Sequence, residues 1–380
     1  QAMFYNCVNL TTIYVSESWS LPSLLPYGGN STFYGCQNLV GGNGTAYDEE
    51  HTGAEYARID GGTDMPGYFT KQTLPVDSAK PYAVLSNDNT ILTFYYDKQI
   101  SERGGMELSD YTFEAQPQWT ENSASIETVI FDESFAECNE VSSTAFWFFG
   151  CNNLKSIVGL QRLNTENVVD MQAMFLDCKS LTTVDLSNFN TAKVQNMQAM
   201  FNGCNKLSSI DLSHFNTSHV RNMRGMFNYC YQLTELDLSN FDTEIVNDMN
   251  GMFCNCINLK SVNLANFNTL QVRWMDSMFA NCRSLTELDL SSFETPYLWA
   301  ASSMFQNCTE LKTIIVGQRW SNGYIEHGGY MFRNCENLVG GSGTVYDAEH
   351  TDAEYARIDG GAGAPGYFTD KVTTGINNIN

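Results

Sequence analysis

Carboxylates recur in this 380-residue chain at an interval that would set them in line. Asp185, Asp211, Asp237 and Asp289, with Asn263 completing the row, lie 26 residues apart. Glu235 and Glu287 stand two residues earlier, in a row shared with Thr183, Ser209 and Ser261. Ser187, Ser213, Ser239, Ala265 and Ser291 follow two residues later. On strands stacked in register, such carboxylates would stand about 4.8 Å apart. Two of them repel by roughly 0.9 kcal/mol in water. A ladder of this kind invites Lys, Arg or a bound cation and makes an acidic, hydroxyl-rich recognition face. The competing reading is that each Asp bonds its own backbone or a nearby Ser. That reading weighs more, because folds usually explain what every repeat carries.

Other reactive residues point away from catalysis. Asp48, Glu49, Glu50 and Asp60, and Asp347, Glu349, Asp352 and Asp359, offer oxygens of the kind calcium takes. Neither set has EF-hand spacing, so solvated turns are the stronger reading, with no metal ligands and no cofactor expected. His51 and His350 occupy one position of a duplicated segment, and His214 and His219 fall in repeat turns. No hydrolase, zinc or phosphate-loop motif appears, so no enzyme is expected. Most of the twelve cysteines share one repeat position and read as buried free thiols; Cys138 and Cys254 lie off that register. Trp274, Trp299, Trp320 and Trp19 are expected to be covered, filling gaps left by diverged repeats. Exposed, Trp274 and Trp299, with Tyr297, would stack on sugars or anchor an interface.

These residues need a repeating scaffold. Met-Phe pairs at 174–175, 200–201, 226–227, 252–253, 278–279 and 304–305 are each followed three residues later by Cys. A fixed short period marks a stacked array, in which each unit contacts only its neighbours. Within one unit, Leu181, Val184 and Leu186 read as a strand with one buried face. Ser187 to Thr191 read as a turn with Phe189 inward. Val194, Met197, Met200-Phe201 and Cys204, at spacings of three and four, predict a helical or 3₁₀ return. Strands joined this way stack parallel, with bulkier returns fanning out opposite.

The pattern Leu-x-x-Val/Leu-Asp-Leu-Ser-x-Phe-x-Thr, then Val-x-x-Met-x-x-Met-Phe-x-x-Cys-x-x-Leu, holds closely over residues 168–311. It resembles the leucine-rich repeats of BspA-like bacterial surface proteins, and more closely the variant first described in mycoplasma lipoproteins. The fold expected is therefore α/β: a leucine-rich-repeat-type solenoid with a parallel β-sheet on one side and short helical or 3₁₀ returns on the other.

Residues 36–70 align without gaps to 335–369, including Ala-Glu-Tyr-Ala-Arg-Ile-Asp-Gly-Gly at 54–62 and 353–361. The same ending twice implies two arrays in series. Residues 1–70 read as the end of a first array with its cap, 71–80 as a linker and 81–124 as a β-hairpin N-terminal cap. Residues 125–338 form the second array, 339–370 its C-terminal cap and 371–380 a flexible tail. Residues 1–10 already read as mid-repeat, so the chain is expected to be a piece of a longer protein.

Composition limits the partners. Acids outnumber bases 43 to 20, for a net charge of -23, which argues against nucleic acid. No apolar run approaches the ~18 residues of a membrane span. The resemblance implies a cell-surface or secreted adhesion protein with a Bacteroidetes source. Its partners would be host extracellular-matrix or bacterial surface proteins, with glycans a further class. The alternative is a structural spacer or stalk displaying a neighbouring domain.

Overall fold

A computed structural model of the chain describes residues 3–15, 19, 31–71 and 78–372. The chain divides into two compact units, 1–78 and 79–380. Most of the expected linker and of the expected tail, residues 72–77 and 373–380, lie outside the described residues.

In the first unit, β1 (Ile13–Val15) pairs in parallel with β2 (Phe69–Lys71) over a small core of Phe33, Cys36, Leu39, Tyr68 and Phe69. The second unit opens on an antiparallel hairpin, β3 (Lys80–Leu85) and β4 (Ile91–Asp97). Asn89 turns it with a left-handed backbone, a conformation Asn tolerates. A short β5 (Met106–Glu107) pairs with β3. Then β6 (Thr128–Phe131) and β7 (Ser156–Val158) add in parallel to β4, giving the order β5-β3-β4-β6-β7. Further on, β8 (Glu235–Asp237) pairs with β9 (Ser261–Asn263). The last sheet is β10 (Glu287–Leu290), β11 (Thr313–Val316) and β12 (Phe368–Asp370), the last strand coming from the C-terminal segment.

Two expectations need correction. The sheets are several rather than one, and they are not all parallel. Residues 181–186 and 207–212, expected as strands, form no strand ladder. Nor are the returns helical between 168 and 311. They are successive single turns, such as Met200 N–H to Met197 O and Cys204 N–H to Phe201 O, and they do not propagate. The cause is a left-handed residue twice per repeat: Ala199 and Gly203, Gly225 and Tyr229, Gly251 and Asn255. Alternating hand turns every second peptide along the stack. The N–H groups of Met197, Ala199, Phe201 and Gly203 therefore donate to Asn222, Arg224, Met226 and Asn228 of the next repeat. The same four bonds recur between each pair of neighbours from Thr144 to Arg333. The side expected to splay is thus the continuously bonded one.

Side chains repeat this order inside. Phe175, Phe201 and Phe227 stack nearly parallel, with ring centroids 5.5 and 5.7 Å apart. Cys204 donates its S–H to Phe175 O at 3.2 Å, and its neighbours in the row do likewise. All twelve cysteines are free thiols. Burial pushes Cys151 and Cys335 up to about 12 and Cys254 up to about 11, so these thiols stay protonated. Buried Thr191 and Thr243 bridge repeats: each hydroxyl donates to the carbonyl 25 residues on and accepts that residue's N–H.

Aligned peptides leave carbonyls at one end of the stack and N–H groups at the other, and each end finds its complement. Trp119 Nε1 donates to Trp147 O at the start. At the finish, Thr351 O, the Asp352 carboxylate and Tyr346 hydroxyl accept from Phe332, Tyr330 and Asn334 N–H. Phe368 packs edge-on against Phe332 and Phe305.

Candidate binding surface

The acidic row stands exposed as the periodicity predicts, but its oxygens are engaged locally. Asp185, Asp211, Asp237, Asn263 and Asp289 each accept from the backbone N–H two residues on, at 2.9–3.2 Å. Bonds from the Ser two residues on hold Asp185, Asp211 and Asp237 below the ordinary carboxyl range. Partial burial works upward on Asp289, yet Ser291 and Lys371 Nζ at 3.1 Å outweigh it. Glu235 and Glu287 flank this row, also exposed. Each Asp thus closes the turn that ends its strand, and Lys371 shows that the face can hold a cation.

The aspartates weighed for calcium are likewise occupied by the chain. Asp359 is buried and accepts from Ser342 N–H, Thr344 N–H, Thr344 Oγ1 and Gly361 N–H at 2.7–2.9 Å. Burial alone would raise it; these bonds together lower it. Asp60 holds the duplicate loop in the same way. Gly340 must be glycine here, since a Cβ would lie 2.2 Å from Gly366 O. Asp48 binds His51 Nδ1 at 2.9 Å, and Asp347 accepts from Glu349 N–H. Among the described residues, no group of three or more His, Cys, Asp or Glu is arranged to hold a metal.

The aromatic substitutions behave differently. Tyr297, Trp299 and Tyr324 are 59%, 41% and 67% exposed, and Trp274 is half-buried. With Arg273 and Glu326 they line one hollow of about 450 Å³. The repeat explains the convergence. Arg273 and Trp299 share one row, bonded by Trp299 N–H to Arg273 O, while Trp274 bridges Ala300 in the adjacent row. Trp299 Nε1 donates to Glu326 at 3.0 Å, and its ring meets His327 edge-on at 4.3 Å. The indole is therefore fixed before any ligand arrives, which lowers the ordering cost of binding.

Structure and expectation divide over the tryptophans. Trp274, Trp299 and Tyr297 come together, as three pattern-breaking residues on neighbouring repeats would. Trp299 is not covered as expected. Trp19 is also partly open at 42%, yet its indole donates to Ala57 O, as Trp320 does to Ala356 O. These two belong to the repeated ending. Tyr324, Glu326 and Arg273 were not singled out by sequence. The signal of Tyr324 and Glu326 is faint because the bridge spacing slips from 26 to 27 residues between Ala300 and His327.

Taken together, the geometry defines a stacked-repeat protein with an exposed aromatic hollow. The chain belongs to the family described as "Mycoplasma protein of unknown function, DUF285", matched over residues 142–236 and 230–341. No curated protein matches. Solved structures with similarity include a leucine-rich repeat protein of T. pallidum, at 19% identity and TM-score 0.30, over 56% of this chain and 89% of that one. A leucine-rich repeat protein of Bacteroides ovatus shares 13% identity at TM-score 0.33, over 69% and 80%. A leucine-rich cell surface protein of Faecalibacterium prausnitzii shares 17% at 0.26, over 68% and 91%. Scores this low carry no argument about ligand or mechanism. No helix among the described residues is long and apolar enough to cross a membrane.

Proposed function

We propose that this chain is a cell-surface or secreted recognition protein, built as a leucine-rich-repeat-type solenoid, whose partners are host matrix or bacterial surface molecules. The observation that carries this reading is the hollow at Trp299. Elsewhere the repeat's polar groups are largely turned to their own backbone, whereas here three large aromatic side chains stand open beside Arg273 and Glu326. Exposed Trp, Tyr and Arg supply large contact area at low ordering cost and dominate binding energy in interfaces. The acidic row contributes a flank rather than the anchor, because its carboxylates already serve the turns.

A screen of the purified chain against matrix proteins, bacterial cells and glycans tests the reading. Retention on at least one surface, lost in Trp299→Ala with folding intact, supports it. Retention on none of them favours the spacer, for which the duplicated ending is the supporting observation.

A further inference from the structure

The Trp299 hollow does not end at Trp274. Arg273 and Trp274 also line a second hollow of about 530 Å³, shared with Arg221, Glu244, Asn247 and Gln271. The two form one groove running along the stack across neighbouring repeats. Its chemistry is unusual for this chain. Acids outnumber bases 43 to 20 overall, yet two guanidiniums stand here, two repeats apart, on one row: Arg221, Asn247, Arg273. Both are exposed, and neither side chain makes a hydrogen bond, ion pair or ring contact among the described residues.

We infer that this groove binds an acidic oligosaccharide, a chain of pyranose rings bearing carboxylates, with the aromatics stacking on sugar faces and Arg221 and Arg273 pairing with carboxylates. The inference rests on the recognition function proposed above and names the ligand class. Three features select it. Open rings, of which Trp299 is held by Glu326, offer flat platforms, and a pyranose presents an apolar C–H face that fits one. The groove is open rather than deep, so it grips a surface and not a buried side chain. Guanidinium forks match carboxylates in bidentate geometry. Between them, Asn247, Gln271 and Glu244 can exchange hydrogen bonds with sugar hydroxyls. Glu244 and Glu326 lie in the same groove and oppose anions, so the carboxylates must seat on the arginines and not beside either glutamate.

The test is calorimetric titration of the whole chain with hexagalacturonate and with the same oligosaccharide after reduction of its carboxyls to alcohols. Binding of the acidic form, at least about ten-fold tighter than the reduced form, is expected from a charged hydrogen bond gained. Arg273→Gln should close most of that gap, and Trp299→Ala should weaken both forms. Thermal melts of each variant separate loss of binding from loss of fold. Equal affinity for both forms, or no binding of the acidic form at millimolar concentration, overturns the inference. If the chain still captures a matrix or bacterial surface through Trp299 in that case, the recognition function stands and only the ligand class fails.

Discussion

Replacing Asp359 with Ala should loosen the C-terminal segment from the last repeat. The buried carboxylate gathers three backbone N–H groups and the Thr344 hydroxyl into one loop. Hydrogen bonds to a charged group contribute ~1.5–3 kcal/mol each, but they are not additive, and water replaces some of them. A net loss of about 3–5 kcal/mol follows, in the range of a broken buried network. Repeat arrays need not unfold in one step, so the assay should be local. Hydrogen exchange at Ser342, Thr344, Gly361 and Phe368 should speed up, while Phe201 and Phe227 amides stay protected. The pH dependence has a definite sign. The folded carboxyl is lowered, so its contribution is fully present above the unfolded value of ~3.9 and is lost as pH falls through the folded one. Wild type and variant should therefore converge in acid. A change below about 1 kcal/mol at neutral pH would refute the view that this loop is pinned by its carboxylate.

Other perturbations probe the stack. Thr243→Val removes a buried bridge to Asn268 and should cost about 1–3 kcal/mol in denaturant unfolding, whereas exposed Thr183→Val should cost little. Tyr229 has φ of 61°, in a row that holds Asn255, Asn281 and Asn307, so Tyr229→Asn should raise the melting temperature through relief of up to about 1 kcal/mol of strain. Burial raises the Asp248 carboxyl, so its folded form holds protons that the unfolded form has released and stability falls as pH climbs past ~3.9. Asp248→Asn, matching Asn196 and Asn222 in the same row, should remove that decline; an unchanged pH profile would contradict the assignment.

The strand rows and the inward Phe, Met and Cys were legible because burial imposes types at fixed spacing. Leu186, Phe201 and Cys204 could be assigned inward from periodicity alone. The return was legible only as two alternatives, helix or successive turns, and the turns are what form. Spacings of three and four fit helix and successive turns equally, and only the hand of Ala199 and Gly203 decides between them. Ala is no signal for a left-handed backbone, although the Asn255, Asn281 and Asn307 row was one. Thr191 was legible as the end of a turn but not as an inter-repeat bridge, a role that depends on the next repeat. The acidic row was legible as a ladder, and so was its engagement by backbone and Ser, because a residue carried by every repeat usually serves the fold. Trp274, Tyr297 and Trp299 were found because they break a pattern; Arg221 and Arg273 sit where repeats vary freely and carry no such mark.

The central claim is that recognition lies in the aromatic hollow and not along the acidic row. Binding of three forms to one matrix-protein and glycan array tests it most directly: wild type, Trp299→Ala with Tyr324→Ala, and Asp185→Ala with Asp211→Ala and Asp237→Ala. The account predicts capture by wild type, persistence in the aspartate variant and loss in the aromatic one. Capture that survives the aromatic changes and vanishes with the aspartates would contradict it.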